Sequence, residues 1–386
     1  MLYAGKITYS ASRINTFARC PFEYFLKYGL GAYEREEWDV TPANMGTYAH
    51  QVINDFCVAV EEGAQSNNEK ISAWRSLDNE RREKILDGII NTTCENMLSS
   101  NVRDKERTAS IFRRMGKTIS DAAQLVQKSL SAGSFAENGM ECKFEIDLTE
   151  NIAIQGLIDR IDTCDAGDKS YMRIIDYKTG RTEFNVVNIA NGYDMQMVIY
   201  AFAAAKLMRE QGKNIDVTGI YYTAVRSKYK PLSSTVTEEN IRERNIRDMV
   251  LDGVTFAEEG EEEAGKMLYN MDNGFFQNQE SIFTKVKMDR EGNIKGVGTL
   301  DEINGLMEHV KNTVIDMDSR ARSGEISLNP YSSGSFGGVC DYCSYSSVCK
   351  FDEDKRTMRS PEGTKEEIWD NMKLKGAALR GVKKDD

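Results

Sequence analysis

Proline is scarce in this chain, five in 386 residues, and no low-complexity tract accompanies it, which argues against long disordered linkers. No apolar run approaches the roughly 18 residues that span a bilayer, and no secretory signal heads the chain, so a cytoplasmic protein is expected. No Gly-x-x-x-x-Gly-Lys-Ser/Thr sequence occurs, which excludes a P-loop motor within these residues. Internal repeats are absent. Positive charge is in deficit: 50 Lys and Arg stand against 61 Asp and Glu, for a net charge of −11. That balance is unhelpful to phosphate binding unless cations gather locally. Much of the acid is clustered, as in Glu258-Glu259-Gly260-Glu261-Glu262-Glu263, most simply a solvated face or loop. Cations gather at Arg103, Lys105, Arg107, Arg113, Arg114 and Lys117, and at Arg226, Lys228 and Lys230. Either group could form a DNA track or ordinary solvated surface.

What is present is a pattern that changes along the chain. Helical periodicity is expected over residues 10–30, 44–62, 76–101 and 104–132. Segments 140–148, 152–163 and 171–178 then have the Ile-rich, turn-bounded character of adjacent β-strands. A helix over 188–211, a strand over 216–225, a β segment at 232–236, a helix from 238 capped by Thr237, a short strand at Phe283–Val286 and a helix over 299–322 follow. The expected fold is α/β, with a large helical insertion between the first helices and the sheet.

Two of these strands carry the chemistry. Ile175-Asp176-Tyr177-Lys178-Thr179-Gly180 follows Gly156-Leu157-Ile158-Asp159-Arg160-Ile161-Asp162. Alternation sets Asp176 and Lys178 on one face and Ile175 and Tyr177 on the other. A carboxylate and an ammonium on one rigid strand, beside Asp159 on its neighbour, can bind a divalent cation and position a water, the minimum for phosphodiester cleavage. Asp159 and Asp176 are the best ligands for Mg²⁺ or Mn²⁺. The plainer reading of Lys178 is a salt bridge to either aspartate. Arg160 and Asp162 point away from Asp159 and are read as structural, Glu141 is a weaker site candidate, and His309 is read as surface.

Of eight cysteines, Cys340, Cys343 and Cys349 fall within ten residues in a Gly-rich loop, a spacing that suits soft-metal ligation better than disulfides. The candidate fourth ligand is Cys20, some 320 residues earlier, so a metal would clip the two ends of the chain together. Four thiolates suit Zn²⁺ or an iron–sulfur cluster equally.

Taken together, Ser12-Arg13 with Cys20-Pro21-Phe22-Glu23-Tyr24-Phe25, Gly46-Thr47-Tyr48-Ala49-His50, Gly156–Asp162, Asp176–Gly180 and Gln196-Met197-Val198-Ile199-Tyr200 resemble, in order, the motifs of RecB-like nucleases of the PD-(D/E)XK superfamily. One early and three late cysteines are similar to the iron–sulfur branch, as in AddAB-type helicase–nucleases of double-strand-break repair. The resemblance implies a restriction-endonuclease-like mixed sheet flanked by helices. It implies a DNA exonuclease or endonuclease in which His50 and the Tyr177 carbonyl join Asp159 and Asp176 on the metal. By the same resemblance Lys178 aids the attacking water, Gln196 and Tyr200 lie beside the site, and a [4Fe–4S] cluster on Cys20, Cys340, Cys343 and Cys349 is structural. DNA and an AddA-type helicase subunit are the implied partners. Residues 1–386 are expected to form one nuclease domain: a helical part (1–135), a catalytic sheet core (136–225), an extension (226–330) and a cysteine-cluster segment with a tail (331–386). The opening Leu2–Thr8 resembles an internal stretch, so a piece of a larger subunit is expected. A stand-alone nuclease, a non-catalytic DNA-end scaffold and a zinc-stabilised interaction domain are the alternatives.

Overall fold

The computed structural model describes residues 3, 5–33, 41–99, 105–180, 183–225, 250–332, 339–351 and 358–382. The expected strand at 232–236, the helix from 238 with its Thr237 cap, and Arg103, Arg226, Lys228 and Lys230 lie outside them.

The chain opens with strand β1 (Ile7–Ser10), whose last residue caps helix α1 (Ala11–Arg19) through its hydroxyl, which accepts from the Arg13 amide. The helix expected to run unbroken from 10 to 30 stops at Cys20, in extended conformation, because Pro21 lacks an amide proton and can only restart a helix at its first position. α2 (Pro21–Tyr24) and a π-turn (Phe25–Gly29) complete that region. Helices α3 (Pro42–Val60), α4 (Asn67–Ser76), α5 (Asn79–Ser99) and α6 (Lys105–Ser131) form the insertion. A Ser66–Glu69 capping box starts α4 earlier than the sequence pattern suggested. Lys105, Arg107, Arg113, Arg114 and Lys117 are all exposed on α6.

Three long strands follow: β2 (Ala136–Thr149), β3 (Ile152–Asp165) and β4 (Ser170–Lys178). The single helix expected over 188–211 is two, α7 (Val186–Ala190) and α8 (Gln196–Glu210), parted by a turn with left-handed backbone at Gly192 and Asp194. β5 (Ile215–Ala224), β6 (Asp252–Ala257), helix α9 (Glu261–Met271), a one-turn helix α10 (Phe275–Asn278), a small hairpin of β7 (Lys287–Met288) and β8 (Ile294–Lys295), and β9 (Val297–Thr299) come next. Phe283–Val286 is not a strand; it is irregular chain leading into that hairpin. α11 (Leu300–Arg322) begins where expected, with Thr299 and Glu302 forming a capping box. α12 (Ser346–Cys349) lies in the cysteine loop and α13 (Lys365–Val382) packs along α11.

The main sheet has seven strands in the order β1-β3-β4-β5-β6-β9, with β2 on β3. β1–β3, β4–β5 and β6–β9 pair in parallel and the rest antiparallel. Ile174, Ile220 and Val198 belong to the core between the sheet and α1, α8 and α11. Ile175, Tyr177 and Tyr221 belong to the core against α3, α5, α6 and α9. Both faces are therefore covered, which accounts for the near-continuous apolar reading of β4 and β5.

Arg160, Asp162 and Arg173 fasten the middle of the sheet to α6. Arg160 grips both oxygens of Asp162 at 2.6 Å, Arg173 donates to Asp162 at 2.7 Å and to the Ser129 carbonyl at 3.2 Å, and all three side chains are buried. The structural role expected for Arg160 and Asp162 holds. Their geometry satisfies a buried carboxylate whose pKa the two guanidiniums pull below its usual value against the opposing effect of burial.

A second buried cluster titrates near neutrality. Burial and the hydrogen-bonded Glu61 carboxylate push Glu137 up to about 7, while Lys70, 2.8 Å from Glu61 and 3.0 Å from Glu137, opposes the rise. A carboxyl whose folded pKa exceeds its unfolded value stabilises fully below the unfolded value, and that contribution is lost as pH rises through the folded one. Denaturant unfolding of the wild type should therefore lose stability between about pH 4.5 and pH 7 through this group. Glu137→Gln should flatten that slope; an unchanged profile would contradict the assignment.

Candidate active site

The site begins as a gap in one edge of β3. β2 pairs along β3 from Ile152 to Thr163, so it takes one edge entirely. The other edge is shared by β1, which pairs with Ile152–Gln155, and β4, which pairs with Arg160–Asp165. Between them Gly156-Leu157-Ile158-Asp159 has no strand on that edge. Gly156 is needed there because a Cβ would stand 2.7 Å from the Phe144 ring and 2.9 Å from the Tyr200 ring. On β2, Glu141 has a left-handed φ of 48° between the pairs Met140↔Arg160 and Cys142↔Ile158, so it lies opposite Asp159. Among the described residues it makes no hydrogen bond or ion pair with the site.

The β3–β4 ladder ends at Arg160↔Ile175, and one step further along that register Asp159 faces Asp176. The Tyr177 amide, which a continued ladder would have used, donates to Asp159 Oδ2 at 2.8 Å. Two carboxylates thus meet across the end of a ladder, where like charges repel. Both are buried.

Each helical layer reaches the gap. From α3, His50 places Nε2 2.5 Å from the Tyr177 carbonyl and Nδ1 3.4 Å from Asp159 Oδ1. From α8, Gln196 Nε2 donates to Asp176 Oδ1 at 3.3 Å, and it lies 2.9 Å from the Tyr200 hydroxyl. Gln196 Oε1 accepts from Lys178 Nζ at 3.3 Å. Lys178 Nζ also stands 2.8 Å from Asp176 Oδ2 and 5.9 Å from the Tyr222 ring centre. All the residues expected at the site, namely His50, Asp159, Asp176, Tyr177, Lys178, Gln196 and Tyr200, converge on this one place. His309 is elsewhere and is not a plain surface group: it is half-buried on α11, against the Ala190 carbonyl at 2.8 Å.

The electrostatics follow from the crowding. Burial and the facing Asp159 charge push Asp176 up to about 6, with Lys178 and His50 opposing. Burial pulls His50 down, but the hydrogen bond to Asp159 and its charge, with the Tyr177 carbonyl and Asp176, leave its pKa raised. Asp176 Oδ2 is buried and accepts no hydrogen bond; the nearby ammonium is close but not aligned to donate. An orphaned carboxylate oxygen, a second carboxylate, a carbonyl and an imidazole form a donor set that suits a hard divalent cation. Among the described residues no group of three or more His, Cys, Asp or Glu forms a ready-made metal site, so the side chains would have to draw together around an ion.

At the other end of α1 none of the eight cysteines is disulfide-bonded, and Cys20, Cys340, Cys343 and Cys349 line one small cavity of about 20 Å³ with Phe22, Leu328 and Phe351. Burial raises the Cys20 thiol pKa, with nearby backbone amides and Arg359 opposing. The sequence pattern did not point to Asp194 or Asn15, which meet beside Gln196: Asn15 Oδ1 accepts from the Asp194 amide at 3.0 Å. The signal was the Gly192-Tyr193-Asp194 turn, hidden inside a helix read as continuous.

A mixed sheet covered on both faces, with an aspartate pair and a lysine at a strand-edge gap, defines a site of the nuclease type. The profile of the PD-(D/E)XK nuclease superfamily matches residues 8–350, and the chain belongs to that superfamily. It is also similar to proteins named as the AddB component of an ATP-dependent helicase/deoxyribonuclease. The one from Thermoanaerobacter sp. (strain X514) is 29% identical over 100% of this chain and 33% of its own length. Those from Clostridium perfringens (strain SM101) and Clostridium acetobutylicum are 25% and 27% identical, over 98% and 95% of this chain and 33% and 32% of theirs. The chain spans about a third of the length of the relatives it matches.

Because Asp176 is more costly to ionise folded than unfolded, it lowers stability as pH rises from its unfolded value to about 6. Asp176→Asn should therefore be more stable than the wild type at pH 8 in EDTA, by about 1–3 kcal/mol. Excess Mn²⁺ should stabilise the wild type and not the variant. A variant less stable than the wild type in EDTA would contradict the strained pairing.

Proposed function

We propose that this chain is the metal-dependent nuclease module of an AddAB-type helicase–nuclease, acting on DNA strands in the cytoplasm. The observation that carries the reading is the Asp159–Asp176 pair, with its unsatisfied oxygen, facing His50 and the Tyr177 carbonyl in a member of this superfamily. Mg²⁺ or Mn²⁺ held by Asp159, Asp176, His50 and the Tyr177 carbonyl would stabilise phosphate charge and make a water more acidic. Lys178 orients that water and offsets charge building on the phosphorus, and Gln196 holds both Lys178 and Asp176 in place. Tyr200 anchors Gln196 and closes over Gly156.

Four cysteines around one cavity support a soft-metal clip, a [4Fe–4S] cluster with Zn²⁺ as the alternative, that would tie the α1–α2 junction to residues 339–351. The relatives' names support an AddA-type helicase subunit as partner, alongside the rest of a longer chain. Residues 1–386 would then work as one nuclease domain, divided as the sequence suggests. With a net charge of −11 the domain would hold DNA weakly alone, and tethering to a motor would supply the local concentration.

End-labelled single-stranded DNA with Mg²⁺ or Mn²⁺ tests the site. The wild type should cleave it, while Lys178→Ala and Asp176→Ala should each lose about 10²-fold or more. Cleavage unaffected by both substitutions, or none from protein with its cysteine site loaded, would favour a non-catalytic scaffold. Cys343→Ala should lose the visible absorbance of the purified protein together with thermal stability; retained stability would contradict a structural clip.

A further inference from the structure

The turn between α7 and α8 is pinned from several sides. Gly192 has φ of 85°, and a Cβ there would stand 2.7 Å from Met317 Cε. The Tyr193 ring stacks on Tyr331 with centres 5.0 Å apart, and Asn15 fixes the next amide. The outcome is a non-glycine residue, Asp194, held at φ of 59°, a conformation aspartate tolerates only at some cost. Strain maintained by this many contacts points to a use for the side chain.

That side chain faces the active site. Asp194 lines a cavity of about 370 Å³ with Ser12, Asn15, Gln155, Gln196 and Tyr200, directly over the gap in β3. Its carboxylate accepts no hydrogen bond among the described residues. Burial raises its pKa, and the only charge opposing that rise is Lys178. Lys178 therefore has acceptors on both sides: Asp176 and Gln196 toward the sheet, Asp194 toward the cavity.

If Asp176 ligates a cation, as the proposed function has it, its Oδ2 is no longer free to pair with Lys178. We propose that Asp194 is a positioning residue that takes over the Lys178 ammonium at that moment, holding it beside the substrate phosphate and releasing Asp176 to the metal. This rests on the nuclease reading. Without Asp194, Lys178 would remain clamped on Asp176 and compete with the cation.

Asp194→Asn isolates the charge, since asparagine accepts the same backbone conformation. The test is Mn²⁺ binding, read by the electron paramagnetic resonance signal of free Mn²⁺, without DNA, in the wild type, Asp194→Asn, Lys178→Ala and the double variant. Asp194→Asn should weaken Mn²⁺ binding by about tenfold when Lys178 is present and by less than about twofold when it is alanine. Equal losses in both backgrounds, or none in either, would overturn the proposal. On DNA, Asp194→Asn should lower kcat without raising KM, and an unchanged kcat in an active wild type would count equally against it. A wild type that does not cleave DNA would remove the nuclease reading, while the Mn²⁺ cycle would still decide the role of Asp194.

Discussion

The site depends on an incomplete strand edge. β1 and β4 share one side of β3 and leave four residues between them, and this gap lets side chains from both helical layers meet inside a covered sheet. A continuous ladder would have consumed the Tyr177 amide and turned its carbonyl into sheet pairing. Instead Asp159 takes the amide, and the carbonyl is left to His50. Asp159 and Asp176 are then opposed at close quarters, an arrangement that weakens the folded state and creates demand for a cation. The Arg160–Asp162–Arg173 lock just below the gap absorbs that strain: Arg160 also donates to the Tyr177 hydroxyl at 3.1 Å, fixing the residue whose backbone supports the site.

The cysteine segment shares a wall with the same machinery. The Tyr331 amide donates to the Arg19 carbonyl at 2.8 Å, and Arg359 donates to the carbonyls of Ala18 and Asn329. Through Tyr331, stacked on Tyr193, the chain leading into the cysteine loop also buttresses the turn that carries Asp194 and launches the Gln196 helix. A clip near Cys20 would thus steady α1, whose Asn15 holds that turn from the other side.

Much of this was legible in the sequence where local chemistry dominates. The alternation of Ile175, Asp176, Tyr177 and Lys178 fixes opposite faces for apolar and polar residues, and the Thr299–Glu302 box marks a helix start. Less legible was anything set by tertiary contact. The break at Cys20-Pro21 has a visible cause in proline, yet apolar periodicity on both sides masked it. The split of the 188–211 helix rests on Gly192 meeting Met317 from α11, a contact more than a hundred residues away. β1 is four residues long and gains its place only by pairing with β3, so local pattern could not reveal it or the gap it helps create. The motif residues were identifiable by resemblance; why they meet is a matter of register.

The most direct measurement is the position of bound metal. Crystals grown with Mn²⁺ and measured for anomalous scattering should show a peak bonded to Asp159, Asp176, His50 and the Tyr177 carbonyl, with Lys178 withdrawn from Asp176. A strong peak elsewhere, or none at this place at saturating Mn²⁺ with the four donors still in their paired arrangement, would contradict the account.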